Sequence, residues 1–255
     1  GRALAIAGLH PATGGSGAEL CSGDMLLEAL VACAGVTVKV AIRPPSKALF
    51  DDRAPLYEWF SDGIVNACWN AVDRHVEAGR GDQLAIIHDS PITHSYRGIT
   101  YKDLQTRVAS LAGALRAKGI EKGDRVIIYM PMVPEALEAM LACSRLGAIH
   151  SVVFGGFAAH ELAVRIDDCT PKAIIAASCG LEPGRVVHYK PLLDRAIEEA
   201  THKPEFCVIF QREQEVAELI EGRDVAWHSF QFGVEPAECV PVEGNHPHYI
   251  LYTSG

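Results

Sequence analysis

The chain has 255 residues, 49% of them hydrophobic and 22% charged, which suits a soluble globular protein with one large domain or two small ones. Acidic residues outnumber Lys and Arg by 32 to 23, a net charge of −9, so the diffuse basic field of a nucleic-acid binder is missing and any anionic ligand needs a local site of backbone N–H groups and placed cations. The eight cysteines form no C-x-x-C pair and no zinc-type spacing; scattered through apolar segments like buried free thiols, they fit a reducing, cytoplasmic setting.

The chain opens at Gly1 rather than Met, which suggests a fragment or a processed product. No signal-peptide order of basic, apolar and small residues is present, and Glu28 and Lys39 interrupt the apolar run from Met25 to Ile42, so no membrane span is expected. Asp24 caps an apolar helix reaching Ala34, Gly35 ends it, and β-branched residues 36–42 read as a strand before the linker Arg43-Pro44-Pro45-Ser46. Residues 59–80 carry Ile64, Ala67, Cys68, Ala71 and His75 at helical spacing. Leu84 to His88 is a strand, and residues 90–98 read as polar turn.

Thr100 with Asp103 predicts a helix start, Leu104, Val108, Leu111 and Leu115 share one face, and Gly119 stops the helix. The strand 125–130 follows, then a helix that starts at Pro134, is apolar nearly all round and closes at Arg145 and Gly147. Strand 149–154, turn Gly155-Gly156, helix 157–168 and strand 173–177 make a βαβ unit with parallel strands. A helix around 190–200, a strand at 207–210, a short helix near 214–221 and a strand at 249–252 continue the alternation, and the class is α/β.

Ligands of open α/β sheets bind beyond the carboxyl ends of the strands. Two loops fall there, Phe154-Gly155-Gly156-Phe157 and the run from Ser178 to Arg185. Glycines allow close approach to the backbone, a helix starting at Phe157 offers N–H groups to an anion, and Arg185 offers a forked cation. By spacing alone, Gly155-Gly156 serves equally well as a tight turn and Arg185 as a solvated charge. His246 and His248 have no third metal ligand, His160-Glu161 lacks a second His, Arg80-Gly81-Asp82 reads as a turn, and no G-x-S-x-G elbow occurs. No metal site and no catalytic side chain is assigned.

Three runs, Met130-Pro131-Met132-Val133-Pro134-Glu135-Ala136, residues 140–148 (MLACSRLGA) and 150–157 (HSVVFGGF), resemble the AMP-forming acetyl/propionyl-CoA synthetase family, as does Asn66-Ala67-Cys68-Trp69-Asn70 with Asp73-Arg74-His75-Val76. Residues 179–193 (CGLEPGRVVHYKPLL) resemble its propionyl branch, and the likeness spans roughly 44–255. It implies the partial N-terminal domain of an acyl-adenylate-forming enzyme that joins a small carboxylate to CoA, with ATP and Mg2+, through an acyl-AMP. It further implies CoA contacts at Phe154, Gly155, Gly156, Glu182, Pro183, Gly184 and Arg185, and the start of the ATP-phosphate loop at Thr253, Ser254 and Gly255. The acetate-type loop reads roughly G-x-R-G-G-R, and Glu182 stands where its first Arg would be.

Residues 20–35 resemble part of the osmotically induced, organic-hydroperoxide-resistance family, in which the position of Cys33 can react with peroxide. The expected organisation is therefore a remnant of that kind at 1–40, a synthetase-type N-terminal segment at 44–78 and an incomplete AMP-binding domain at 79–255. The expected function is that of a synthetase fragment, inactive alone. A non-catalytic CoA-binding module and a Cys33 thiol peroxidase are the alternatives.

Overall fold

The computed structural model describes residues 50–51, 58–59 and 62–252. The capped helix and strand expected before residue 43, Cys33, and Thr253, Ser254 and Gly255 lie outside the described residues. The chain divides into two units, residues 1–65 with 243–245, and residues 66–242 with 246–255. In the first, β1 (Phe50–Asp51) and β2 (Glu58–Trp59) pair antiparallel, and β3 (Ile64–Val65) follows.

The second unit begins with helix α1 at 67–80, which includes π turns at Trp69–Asp73 and Val76–Arg80. The helix expected from residue 59 thus starts later, because Asn66 caps it: its side-chain oxygen accepts the Trp69 N–H at 3.0 Å. Strands β4 (Leu84–Ser90) and β5 (Ser95–Thr100) form an antiparallel hairpin. The polar run 90–98 is therefore turn only at 91–94; the rest pairs with β4 although Tyr96, Arg97 and Gly98 are exposed and only Ile99 is buried, so no apolar pattern marks the strand. Helix α2 (Tyr101–Ala117) starts as expected, with Thr100 Oγ1 accepting the Asp103 N–H, and ends before Gly119 at φ +86°.

Strands β6 (Arg125–Met130), β7 (Ile149–Phe154), β8 (Ala173–Ala177), β11 (Phe206–Phe210) and β12 (Asp224–Ala226) make a parallel sheet in the order β12-β11-β8-β6-β7. Helices α3 (Pro134–Leu146), α4 (Ala159–Cys169) and α5 (Tyr189–Glu199) provide the crossovers β6–β7, β7–β8 and β8–β11. The chain steps from β6 outward to β7, then returns past β6 to β8. Right-handed crossovers then put α3 on one face and α4 on the other. Accordingly α2 packs on α3 and α4 on α5. Strand β8 is buried throughout and β6 from Val126 onward, as a sheet covered on both faces requires.

Three further differences from the sequence reading have local causes. Helix α4 starts at Ala159, since Ala158 is extended and the Phe157 carbonyl accepts the Tyr129 hydroxyl at 3.1 Å. No helix forms at 214–221, because the Gln211 side-chain amide takes both backbone groups of Ala217, at 2.8 and 2.9 Å. The strand expected at 249–252 is a single parallel bridge, Tyr249 to His150, beside β7.

Charges inside this unit are paired. Arg145 at the end of α3 meets Asp73 at 2.7 Å and donates to the Ala237 carbonyl at 2.6 Å. Burial raises the Asp73 carboxyl, but hydrogen bonds from Arg145 and Gln105 outweigh it, and the net shift is downward. Lys190, buried on α5, holds Asp194 and Asp224, which Arg223 also engages. Glu135 and Glu138, buried on α3, are met by Arg97 and Arg107, so that helix is less apolar inside than its composition suggested.

Candidate functional site

The strand order reverses at β6 and β8, whose crossovers leave on opposite faces, so their carboxyl ends border the crevice where open sheets bind ligands. A cleft of about 560 Å³ opens there. Met130 to Pro134 line it from β6, Gly155 from β7, and Leu181, Glu182 and Tyr189 from the segment after β8. Arg212, after β11, and residues of the β4–β5 hairpin close it.

Ser178, directly after β8, organises the crevice. Its N–H donates to the Phe210 carbonyl, its own carbonyl accepts from Tyr189 and Lys190 at 3.1 and 3.2 Å, and its hydroxyl accepts the Arg212 N–H at 2.9 Å. The Arg212 side chain reaches back to the Cys179 carbonyl at 3.2 Å. The run 178–185, expected as a loop, is mostly an antiparallel hairpin of β9 (Cys179–Glu182) and β10 (Arg185–His188), turning at Pro183-Gly184 with Gly184 at φ +78°. Short apolar and β-branched runs on either side of Pro183-Gly184, Cys179 and Leu181 before it and Val186-Val187 after it, were the missed signal.

Tyr189 is the wedge of the site. A Cβ on Gly155 would come within 2.2 Å of its ring, and one on Gly180 within 2.4 Å of its hydroxyl. The Tyr129 ring lies 5.1 Å away, centroid to centroid. Burial, then the neighbouring Tyr129, pushes the Tyr189 phenol up to about 12, so the ring is a neutral packing element. Gly155 is therefore required by Tyr189, whereas Gly156, exposed at φ +119°, supplies a backbone conformation that favours glycine.

The expected residues do not all converge. Gly155 and Glu182 share the cleft, Phe154 ends β7 in register with Met130, and Gly156, Pro183, Gly184 and Arg185 stand outside the lining. Arg185 pairs with Glu182 at 2.8 Å, both side chains being exposed. Arg212 was missed by sequence reasoning, although it stands two residues after the carboxyl end of β11, on the edge where open sheets bind ligands.

A second contact joins this edge to the end of the described chain. The Arg165 guanidinium stacks over the Phe157 ring at 4.7 Å and over the Tyr252 ring at 5.1 Å, and the Tyr252 hydroxyl donates to Asp168 at 2.5 Å. The turn after β7 and the segment leading to Thr253 thus share one helix, α4.

Fold and crevice define a parallel α/β protein with a cleft at the switch point of its sheet. The profile of the family described as AMP-binding enzyme matches residues 72–255, and the chain belongs to that family. It is 56% identical over 199 residues to an uncharacterized protein of Pseudomonas aeruginosa, covering 78% of this chain and 32% of that one. It is 49% identical over 214 residues to the mitochondrial acyl-CoA synthetase short-chain family member 3 of Rattus norvegicus, covering 84% of this chain and 31% of that one. The solved acetoacetyl-CoA synthetase of Streptomyces lividans superposes with a TM-score of 0.77 at 23% identity, over 89% of this chain and 35% of that one, a likeness of fold. The chain spans about a third of the length of these relatives.

Proposed function

We propose that the chain is the CoA-facing part of an AMP-forming short-chain acyl-CoA synthetase, and that it depends on sequence beyond these 255 residues for chemistry. The reaction of the whole is the attack of a short carboxylate, propionate in preference to acetate, on the α-phosphorus of ATP, giving acyl-AMP and pyrophosphate. The CoA thiol then takes the acyl group and AMP leaves. Family membership and the likeness to a short-chain acyl-CoA synthetase support this reading, and one observation carries it: the switch-point cleft and the glycine turn lie on one sheet edge.

In this reading Phe154, Gly155, Gly156, Glu182, Pro183, Gly184 and Arg185 receive CoA. Thr253, Ser254 and Gly255 open the loop that holds the ATP phosphates, which bring Mg2+ with them. The guanidinium groups of Arg185 and Arg212 suit phosphate or carboxylate oxygens, and Gly156 lets a chain lie close to the backbone. The division into 1–40, 44–78 and 79–255 and a cytoplasmic setting belong to the same proposal. No helix among the described residues is long and apolar enough to cross a membrane.

Titration with CoA, with inorganic phosphate as the control anion, tests the reading. CoA should bind more tightly than phosphate, Arg185→Ala should weaken CoA at least several-fold, and the chain alone should catalyse no propionate-dependent ATP–pyrophosphate exchange. Equal binding of CoA and phosphate, or CoA binding untouched by Arg185→Ala, overturns the CoA assignment. Exchange by the chain alone overturns its dependence on further sequence.

A further inference from the structure

One cluster lies apart from the cleft and has no part in the proposed chemistry. Cys68, in the first turn of α1, Asp73, one turn on, and Cys239, in the segment after helix α6 (Trp227–Phe230), bring two sulfurs and a carboxylate oxygen within 4.8 Å of one another. Asp73 Oδ2 accepts from both thiols, at 3.9 Å from Cys68 and 3.6 Å from Cys239. Arg145 Nη1 sits against the same groups, 2.7 Å from Asp73 and 3.5 Å from the Cys68 sulfur.

Two thiols and a carboxylate are ligands for a soft divalent ion. The guanidinium, however, already occupies the carboxylate and would face the ion as a like charge. The chain around both sulfurs is held in place. Asn66, two residues before Cys68, donates to the Val240 carbonyl at 2.8 Å, and Arg145 donates to the Ala237 carbonyl at 2.6 Å. Cys239 is thus gripped on both sides by groups packed around Cys68. The two sulfurs already lie within 4.8 Å of each other, so the remaining approach to an S–S bond is short. Cys68 is fully buried, while Cys239 is partly exposed, which gives a small oxidant a route in.

We propose that Cys68 and Cys239 are a redox-sensitive dithiol that hydrogen peroxide converts into an intramolecular disulfide, tying α1 to the segment around 237–240. The O–O bond of the peroxide breaks as one sulfur takes an oxygen to become a sulfenic acid, and the other oxygen leaves as water with the thiol proton. The second sulfur displaces the sulfenic oxygen as a second water, forming the S–S bond. Two thiols lose two electrons and two protons, and the peroxide is reduced to two waters. A dithiol reductant reverses the change.

The test treats the whole 255-residue chain with hydrogen peroxide, blocks remaining thiols in denaturant, and maps the peptides without reduction. The expected result is a Cys68–Cys239 linked pair within one chain, reversed by reductant and accompanied by a higher urea midpoint. Cys68→Ser or Cys239→Ser should abolish both the link and the rise in midpoint. The wild-type map decides the matter even if a variant folds poorly. Blocked Cys68 and Cys239 after oxidation, a link from either to another cysteine, a link between chains, or a purified chain holding a stoichiometric metal at these thiols overturns the proposal.

Discussion

Replacing Gly155 by Ala tests the wedge at the centre of the site. The added Cβ would stand 2.2 Å from the Tyr189 ring, about 1.2 Å inside the 3.4 Å at which ordinary contact begins. The ring cannot easily retreat, because Gly180 approaches its far side closely enough that a Cβ there would meet the hydroxyl at 2.4 Å, and Tyr129 packs beside it. Gly155 has no positive φ, so the penalty is one of space alone. Overpacking of this kind costs about 1–3 kcal/mol. In a unit of this size that lowers Tm by roughly 2–12 °C. Leu at position 189 lacks the outer ring carbons and hydroxyl that make the clash. In a Tyr189→Leu background, Gly155→Ala should therefore cost less than about 0.5 kcal/mol, a coupling of roughly 1–3 kcal/mol. Urea unfolding followed by circular dichroism measures all four proteins, and a shifted midpoint with an unchanged slope reports stability directly. A Gly155→Ala protein with the wild-type midpoint, or a penalty that persists in the Tyr189→Leu background, would refute the argument that Gly155 is there for Tyr189.

The buried pair at the end of α3 gives a second expectation. Arg145→Met strands the Asp73 carboxylate and should lower stability by about 3–5 kcal/mol in urea unfolding. Asp73 is held below its ordinary 3.8, so its contribution is complete above that value and is lost as pH falls through the lower folded value; Asp73→Asn should flatten that part of an acid-unfolding curve. His150 moves stability at milder pH. Burial, then His248, lowers it from 6.5 to about 4, so the unfolded chain binds the extra proton first and stability falls as pH drops from 6.5 toward 4. The loss between pH 7 and pH 5 should be about 2 kcal/mol, and His150→Gln should remove most of it. Finally, Glu182→Gln releases Arg185 from its carboxylate partner and should tighten CoA binding, read by the same titration; unchanged or weaker binding would show that the ion pair does not compete with the ligand.

The fold was legible wherever one local rule governed. The run 125–130, Pro134 at the start of α3, Gly147 at its end and the five-residue strand β8 are each marked by neighbours in sequence, and the structure has them at or near those places. The misreadings share a different cause, a partner remote in sequence or a polar group in an unexpected role. Asn66 reads as an ordinary polar residue, yet it caps α1 and also donates to the carbonyls of Ser144, Arg145 and Val240, up to 174 positions away. Gln211 cancels a helix by taking the backbone groups of Ala217.

The same distinction runs through the site. The two expected loops were found by counting strands, and both do reach the carboxyl edge of the sheet. Why Gly155 must be glycine could not be found that way, because the reason is Tyr189, an aromatic 34 positions away at the start of α5, just before the helix expected around 190–200. One ring thus explains both Gly155 and Gly180, ties the turn after β7 to the hairpin after β8, and leaves Gly156 as the turn glycine whose freedom is open to a ligand. Gly155-Gly156, which reads as a pair of equivalent glycines, is, physically, one packing glycine and one backbone-conformation glycine. Substitution at the first should act on stability, and substitution at the second on the path of the turn.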